Sequence, residues 1–263
     1  MKRLAPFLVL LVAAVGWLSG CDHRAPSASA PIAQAAYDLA DTVFQSALLL
    51  KPREEAGSTN LSAVLSPLFL CEMTATETNS GPRVVLFEPG ETTINGRPHP
   101  QMTFVWLRTE MQTHRSRPDR DQWLGMRATL DSRNRAVIWE VLDGSTHPRV
   151  VIVTESAEAR ARNHFGAPLP GRRFAVEQST NNAPDTIVAR VIEDGPVAMG
   201  PIAHLAADGG LTTLICRCMT PQTVELTGTD YYELLPAPET GKPSVLLRKE
   251  GGIESRIRLS PDF

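Results

Sequence analysis

Two cysteines lie one residue apart in the apolar segment LTTLICRCMTPQ, residues 211–222. If this segment is a β-strand, side chains two residues apart project from the same face, so Cys216 and Cys218 would stand side by side. A direct bridge between them would need a bend or a bulge, because residues i and i+2 of a flat strand lie near the upper limit of disulfide reach. The pair therefore indicates a disulfide to another cysteine, two buried reduced thiols, or a metal site.

A structural disulfide is the interpretation that we favour. Cys71, in the apolar segment SPLFLCEM, is the more suitable partner for Cys216 or Cys218. Closing a loop of that length would stabilise the fold by about 4–5 kcal/mol in the chain-entropy model. This interpretation predicts no cofactor.

The alternative is a metal site or a thiol-redox centre built on the same pair. Soft or borderline donors lie nearby in the sequence, and thiolate, thioether and imidazole ligands together suit copper(I), whereas thiolates with imidazole suit zinc. The candidate ligand set is Cys216, Cys218, Met199, His204 and Met219.

Other catalytic signatures are absent from the sequence. It contains no Gly-x-Ser-x-Gly elbow, no His-Glu-x-x-His and no phosphate-binding glycine loop. His99 lies between two prolines, where we expect an exposed side chain. We therefore favour a non-catalytic protein and keep an envelope hydrolase as a third possibility, with its acid or base among the carboxylates next to apolar runs, which are Glu72, Glu88, Glu140, Glu155 and Glu177.

The N-terminus has the layout of a secretory signal peptide. Lys2 and Arg3 precede an apolar stretch, residues 4–17, which is short for a membrane-spanning helix. The following LSGC, residues 18–21, resembles the lipobox of bacterial lipoprotein precursors. The resemblance covers these first residues alone, and it implies that Cys21 becomes the first mature residue and carries acyl chains such as palmitate, which hold the protein to a membrane leaflet.

The residues after the lipobox bear on location. Asp22 resembles the signal that retains some Gram-negative lipoproteins at the periplasmic face of the inner membrane. The segment DHRAPSASAP, residues 22–31, has the composition of a flexible tether. Export also favours disulfides, and lipidation of Cys21 leaves an odd number of cysteines, so one must stay unpaired within the chain.

The charge balance argues against nucleic acid as a partner. Removal of residues 1–20 leaves 243 residues with 24 Lys and Arg against 29 Asp and Glu, a net charge of −5. One arginine-rich stretch, residues 108–135, could form an anion or lipid-headgroup patch. Its interspersed carboxylates favour a solvated loop.

Hydrophobic periodicity predicts few helices and many hairpins. Apolar residues spaced three and four apart predict an N-terminal amphipathic helix over residues 32–50. Asn95-Gly96 and the polar turn 131–134 predict two β-hairpins, and the segment after Thr154 predicts a short internal helix that ends at Gly166. The predicted fold is one α+β domain, residues 32–263, with a largely antiparallel sheet. Together with the anchor, this predicts a lipid-anchored cell-envelope protein whose domain binds an unknown envelope protein or ligand.

Overall fold

The computed structural model describes residues 44–53, 60–73, 81–107, 123–143, 149–180, 184–195, 199–207, 209–216, 223–241 and 252–263. The stretch from Pro31 to Phe263 forms one compact unit. Its described part is mostly β-structure. The strands are β1 (Phe44–Pro52), β2 (Leu68–Glu72), β3 (Val84–Ile94), β4 (Arg97–Leu107), β5 (Trp123–Leu130), β6 (Ala136–Asp143), β7 (Arg149–Thr154), β8 (Thr186–Ile192), β9 (Ile202–Leu205), β10 (Leu211–Ile215) and β11 (Thr223–Pro236). The helices are α1 (Leu61–Leu65), α2 (Glu155–Phe165) and a 3-10 turn (Ile253–Ser255).

The strands form one eleven-stranded sheet in the order β10-β9-β2-β1-β11-β3-β4-β5-β6-β7-β8. Antiparallel pairs join β1 to β2, β9 to β10, and each neighbour from β3 to β7. Parallel pairs join β1 to β11, β11 to β3, β2 to β9, and β7 to β8. The expectation of a largely antiparallel sheet built from hairpins is confirmed, but the described fold is mostly β rather than α+β.

The two sequence-predicted hairpins are present. Asn95 and Gly96 have φ values of 50° and 75° and connect β3 to β4. In the next hairpin Asn134 has a φ of 58°, and the Asp131 carboxylate accepts hydrogen bonds from the backbone N–H groups of Arg133 and Arg135. Turn residues that tolerate positive φ therefore set the register of both hairpins.

The predicted helix over residues 32–50 is wrong in its described part. Residues 32–43 lie outside the described residues, and the remainder is strand β1. Leu48 and Leu50 pack on the main core, whereas Leu49 packs on a second cluster on the other side of the sheet. A strand that is covered on both sides has apolar residues at consecutive positions, so its pattern does not distinguish it from a helix.

The predicted internal helix is confirmed as α2. Its Arg162 side chain pairs with Glu158 at 3.1 Å, and Gly166 follows it with a φ of 81°. Thr154 occupies the N-cap position without a side-chain capping bond. The Asp194 carboxylate, from the segment after β8, instead accepts the backbone N–H of Ser156 at 2.8 Å.

Four apolar clusters of described residues stabilise the sheet. The smallest is Val105 with Leu142, against which Leu86 and Trp123 pack, on the side opposite the main core. The main core lies on one side and includes residues from all eleven strands, among them Trp106, Trp139 and Tyr232. On the other side, α2 and the C-terminal segment cover β6–β8, and a separate cluster lies on β1, β2, β9 and β10. The edge strands β8 and β10 are joined where Arg190 donates to Thr213 Oγ1 at 3.1 Å.

No helix in the described part of the chain is long and apolar enough to cross a membrane.

Candidate ligand-binding face

The structure separates the three candidate cysteines. Cys71 on β2 is a free thiol with no exposed surface, and burial raises its pKa to about 12. Cys216 is disulfide-bonded, and none of the described residues is its partner. The predicted bridge from Cys71 is therefore wrong. The Cys71 side chain points into the main core beside Leu50, where it packs as a small apolar group and stays uncharged.

The candidate metal ligands are divided between the two sides of the sheet. Met199 and Cys216 line one small cavity of about 20 Å³ together with Trp139. His204 lies on β9 opposite Leu70 and contacts Phe44, with 5.3 Å between ring centroids, so it faces the cluster on the other side. Cys218 and Met219 lie outside the described residues, as do the signal peptide, Cys21 and the tether.

Among the described residues, no three His, Cys, Asp or Glu side chains are grouped in a way that could hold a metal ion.

His204 is a buried polar side chain without hydrogen-bonded ring nitrogens. It is 3% exposed, and neither ring nitrogen has a hydrogen-bond partner. Burial, and secondarily the charge of Arg190, lowers its pKa to about 4. The imidazole is therefore neutral at physiological pH and contributes mainly its apolar ring edges to the packing.

The described candidate carboxylates with the deepest burial have structural partners. Glu140 on β6 lies 2.9 Å from Arg256, 3.6 Å from Arg149 and 3.8 Å from Arg127. Glu177 accepts the backbone N–H groups of Arg173 and Phe174 at 2.8 Å each. These contacts are what a buried carboxylate needs for stability, and they explain both side chains without catalysis.

His99 is buried rather than exposed as expected. Its Nδ1 lies 3.0 Å from the carbonyl oxygen of Leu130, and its ring contacts Phe263 at 5.2 Å between centroids. The flanking prolines lie in strand β4, so the histidine projects into packed structure rather than from a turn.

An apolar surface lies on the side of the sheet opposite the main core, where β11, β3, β4 and β5 run side by side. The neighbours Tyr232, Val85, Trp106 and Leu124 belong to the main core, so the residues next to them project the other way. We call this surface the apolar face and define it by Val84, Leu86, Leu107, Trp123, Tyr231 and Leu235.

The side chains of the apolar face are unusually exposed for their type. Val84 is 41% exposed, Leu107 40%, Tyr231 48% and Leu235 45%. These are four of the eight large hydrophobic side chains that are exposed in the described part of the chain. Scattered exposed apolar residues need no explanation, but a contiguous group of them indicates a binding surface.

A pocket of about 260 Å³ opens at this face, between the start of β3 and the adjoining ends of β4 and β5. Leu107 and Trp123 are cross-strand partners, and Leu86 pairs with Leu235 on β11. A concave site with several apolar walls and one charged group is typical of sites for small ligands. The lining residues are Gly81, Pro82, Arg83, Val84, Leu86, Leu107 and Trp123.

Two ion pairs border the apolar face among the described residues. Arg83 Nη1 lies 2.6 Å from Asp230 Oδ2, and Arg53 Nη1 lies 2.8 Å from Glu233 Oε1. The backbone N–H of Tyr231, and then Arg83, hold the pKa of Asp230 below its usual value, so its carboxylate stays ionised near neutral pH. The described residues of the face therefore present apolar surface bordered by two neutralised charge pairs.

Reasoning from the sequence missed this face. Its signals were the apolar run VVLF, residues 84–87, and the apolar residues Leu107 and Trp123 on either side of residues 108–122. A continuous apolar run indicates a strand with apolar residues on both sides, but it does not show which side remains uncovered.

Comparison with known proteins gives no match: no family model matches the sequence, and neither a curated protein nor a solved structure matches the chain.

Proposed function

We propose that this chain is a lipid-anchored cell-envelope protein whose domain binds an apolar ligand without catalysing a reaction. The observation that carries the proposal is the 260 Å³ pocket with Leu107 and Trp123 in its wall. The lipobox-like sequence ending at Cys21 supports the anchor, and Asp22 supports a position at the periplasmic face of the inner membrane. The pairing of the deeply buried candidate carboxylates supports binding over hydrolysis.

A neutral fluorescent naphthylamine, N-phenyl-1-naphthylamine, tests the pocket. The mature chain should bind it saturably and bring it close enough to Trp123 for energy transfer. Leu107→Glu should weaken binding about tenfold or more, because it places a charge where apolar contact is needed. Trp123→Phe should keep the binding and lower the energy transfer, of which Trp106, the residue before Leu107, retains a part.

The matched control is Leu61→Glu. Leu61 begins helix α1 away from the face and is 39% exposed, against 40% for Leu107. Its substitution should leave probe binding unchanged. Binding that does not saturate, or that responds equally to both glutamates, would overturn the pocket as the site.

Metal handling or thiol redox remains a second candidate because Met199 and Cys216 line the same cavity. Cys216 is disulfide-bonded, so a metal could bind it only after that bond is reduced. A volume of about 20 Å³ is comparable to the space that one water molecule or ion occupies. Metal analysis of the protein prepared without chelator tests this candidate. It predicts copper or zinc in a fixed ratio to protein that disappears in the Cys216→Ser/Cys218→Ser variant while the fold survives.

A further inference from the structure

We infer that the apolar face docks on the lipid leaflet to which the protein is tethered, with Leu107, Tyr231 and Leu235 in contact with lipid. The inference rests on the anchor in the proposed function and goes beyond it, because it assigns a second membrane contact to the folded domain. The occupant to which we commit is a lipid surface, and a soluble partner or a second copy of the chain is an outcome of the test.

The side-chain chemistry of the face suits the boundary between water and hydrocarbon. Leu107, Leu235 and Val84 present aliphatic surface that remains 40–45% exposed in the folded chain. Tyr231 and Trp123 each join an apolar ring to a polar atom, the combination that is enriched at membrane interfaces. The half-buried Trp123 lies next to Leu107 as its cross-strand partner.

The paired charges at the border predict the mode of binding. A cationic surface would select anionic headgroups, and its binding would weaken with salt. Here Arg53 and Arg83 already neutralise Glu233 and Asp230. Docking through these described groups should therefore depend on apolar contact and respond little to headgroup charge or ionic strength.

The chain between the anchor and the fold is long enough for this contact. Twenty-two residues separate Cys21 from Phe44, the first residue of β1. Fully extended, they span at most about 80 Å, whereas the nine residues of β1 cover about 30 Å. A tether also raises the effective concentration of the domain at the leaflet, so that a weak surface affinity is sufficient.

Vesicle binding by an unacylated chain tests the inference. The mature chain with Cys21→Ser is mixed with vesicles of phosphatidylcholine, or of phosphatidylethanolamine and phosphatidylglycerol, and bound protein is measured by sedimentation. We expect similar binding to both vesicles, with a difference within about twofold, and little loss in high salt. The double variant Leu107→Asp/Leu235→Asp should lose about tenfold or more of the binding.

The matched control is Leu61→Asp/Val64→Asp on α1. These two side chains are 39% and 37% exposed, close to the values on the apolar face. The control should bind as the parent chain does. Equal loss in both double variants would show nonspecific adhesion of exposed apolar residues and would overturn the inference.

Brominated lipids identify the docking face directly. The mature chain contains Trp106, Trp123 and Trp139, of which Trp106 and Trp139 are buried in the main core. Bromine in the acyl chains should quench the emission of Trp123, and Trp123→Phe should remove most of the quenching. Quenching that survives this substitution would contradict the assignment.

The outcomes separate this inference from the proposed function. A chain that binds the naphthylamine probe but neither type of vesicle would overturn the inference and leave the ligand pocket standing. A chain that forms a stable dimer, in which the Leu107→Asp/Leu235→Asp variant is monomeric, would assign the face to a second copy instead.

Discussion

At the scale of single residues, the deeply buried polar groups differ in how they are satisfied. Glu140 lies within ion-pair distance of three guanidinium groups, and Glu177 accepts two backbone N–H groups. His204 has neither kind of contact, and its two ring nitrogens lack hydrogen-bond partners. An unsatisfied buried polar group costs stability, so His204 lowers the free energy of unfolding.

Acid should destabilise the fold through His204. Its pKa is about 4 when folded and about 6.5 when unfolded, so the unfolded chain binds more protons between these values. Stability is therefore lost as the pH falls from 6.5 to 4, by on the order of 3 kcal/mol from this residue. Urea denaturation at several pH values measures the loss.

His204→Phe isolates this contribution from that of the carboxylates, which also titrate in acid. The phenyl ring keeps the contact with Phe44 and has no polar atoms to satisfy. We expect the variant to be at least as stable as the parent at pH 7 and less sensitive to pH between 6.5 and 4. A variant with the same pH dependence as the parent would show that His204 is protonated without cost.

At the scale of the elements, the start of β9 depends on one glycine. Gly200 donates its backbone N–H to Val64 at 2.9 Å, and Leu68 donates to Pro201 at 3.0 Å, which aligns β9 with β2. A Cβ atom on Gly200 would collide with the backbone carbonyl oxygens of Leu65 and Ser66. The close approach of the two chain segments therefore requires glycine.

Gly200→Ala should lower the free energy of unfolding by about 1–3 kcal/mol, because backbone atoms must move to accept the methyl group. Gly228→Ala on β11 is the control, since its Cβ would lie 3.7 Å from Leu48 Cδ1, an ordinary contact distance. That variant should be neutral or slightly stabilised. Urea denaturation of both variants measures the free energy of unfolding. A urea midpoint for Gly200→Ala equal to that of Gly228→Ala would contradict a steric requirement for glycine at position 200.

The elements also show which parts of the fold a sequence can predict. Asn95-Gly96 and the 131–134 turn identified the hairpins because local backbone angles determine them. Helix α2 was predicted because its start and end have local signals. Strand β1 was not predicted. Both of its sides are covered, so its run of three leucines, residues 48–50, is equally compatible with a helix.

At the scale of the whole molecule, the order of the strands in the sheet could not be predicted from one sequence. The parallel pair of β1 with β11 joins residues more than 170 positions apart, and its register depends on packing across that separation. The apolar face could not be predicted either, because it also depends on packing between distant parts of the chain. Its residues lie on four strands, and its exposure depends on which sides of the sheet the rest of the chain covers.

We propose a protein with an acylated Cys21, a tether and a domain with an apolar binding face. The pocket residues are identified from the structure, whereas the anchor is predicted from the sequence alone. Residues 1–43 lie outside the described part of the chain. Acylation of Cys21 can be measured independently of the fold.

Intact mass spectrometry of the protein purified from bacterial envelopes makes the most direct test. We predict a chain from which residues 1–20 have been removed, so that it begins at Cys21. Cys21 should carry the additional mass of acyl chains. The acyl mass should be absent from Cys21→Ser. A mature chain that begins elsewhere, or an unmodified Cys21, would contradict the anchor and with it the proposal of a tethered binding protein.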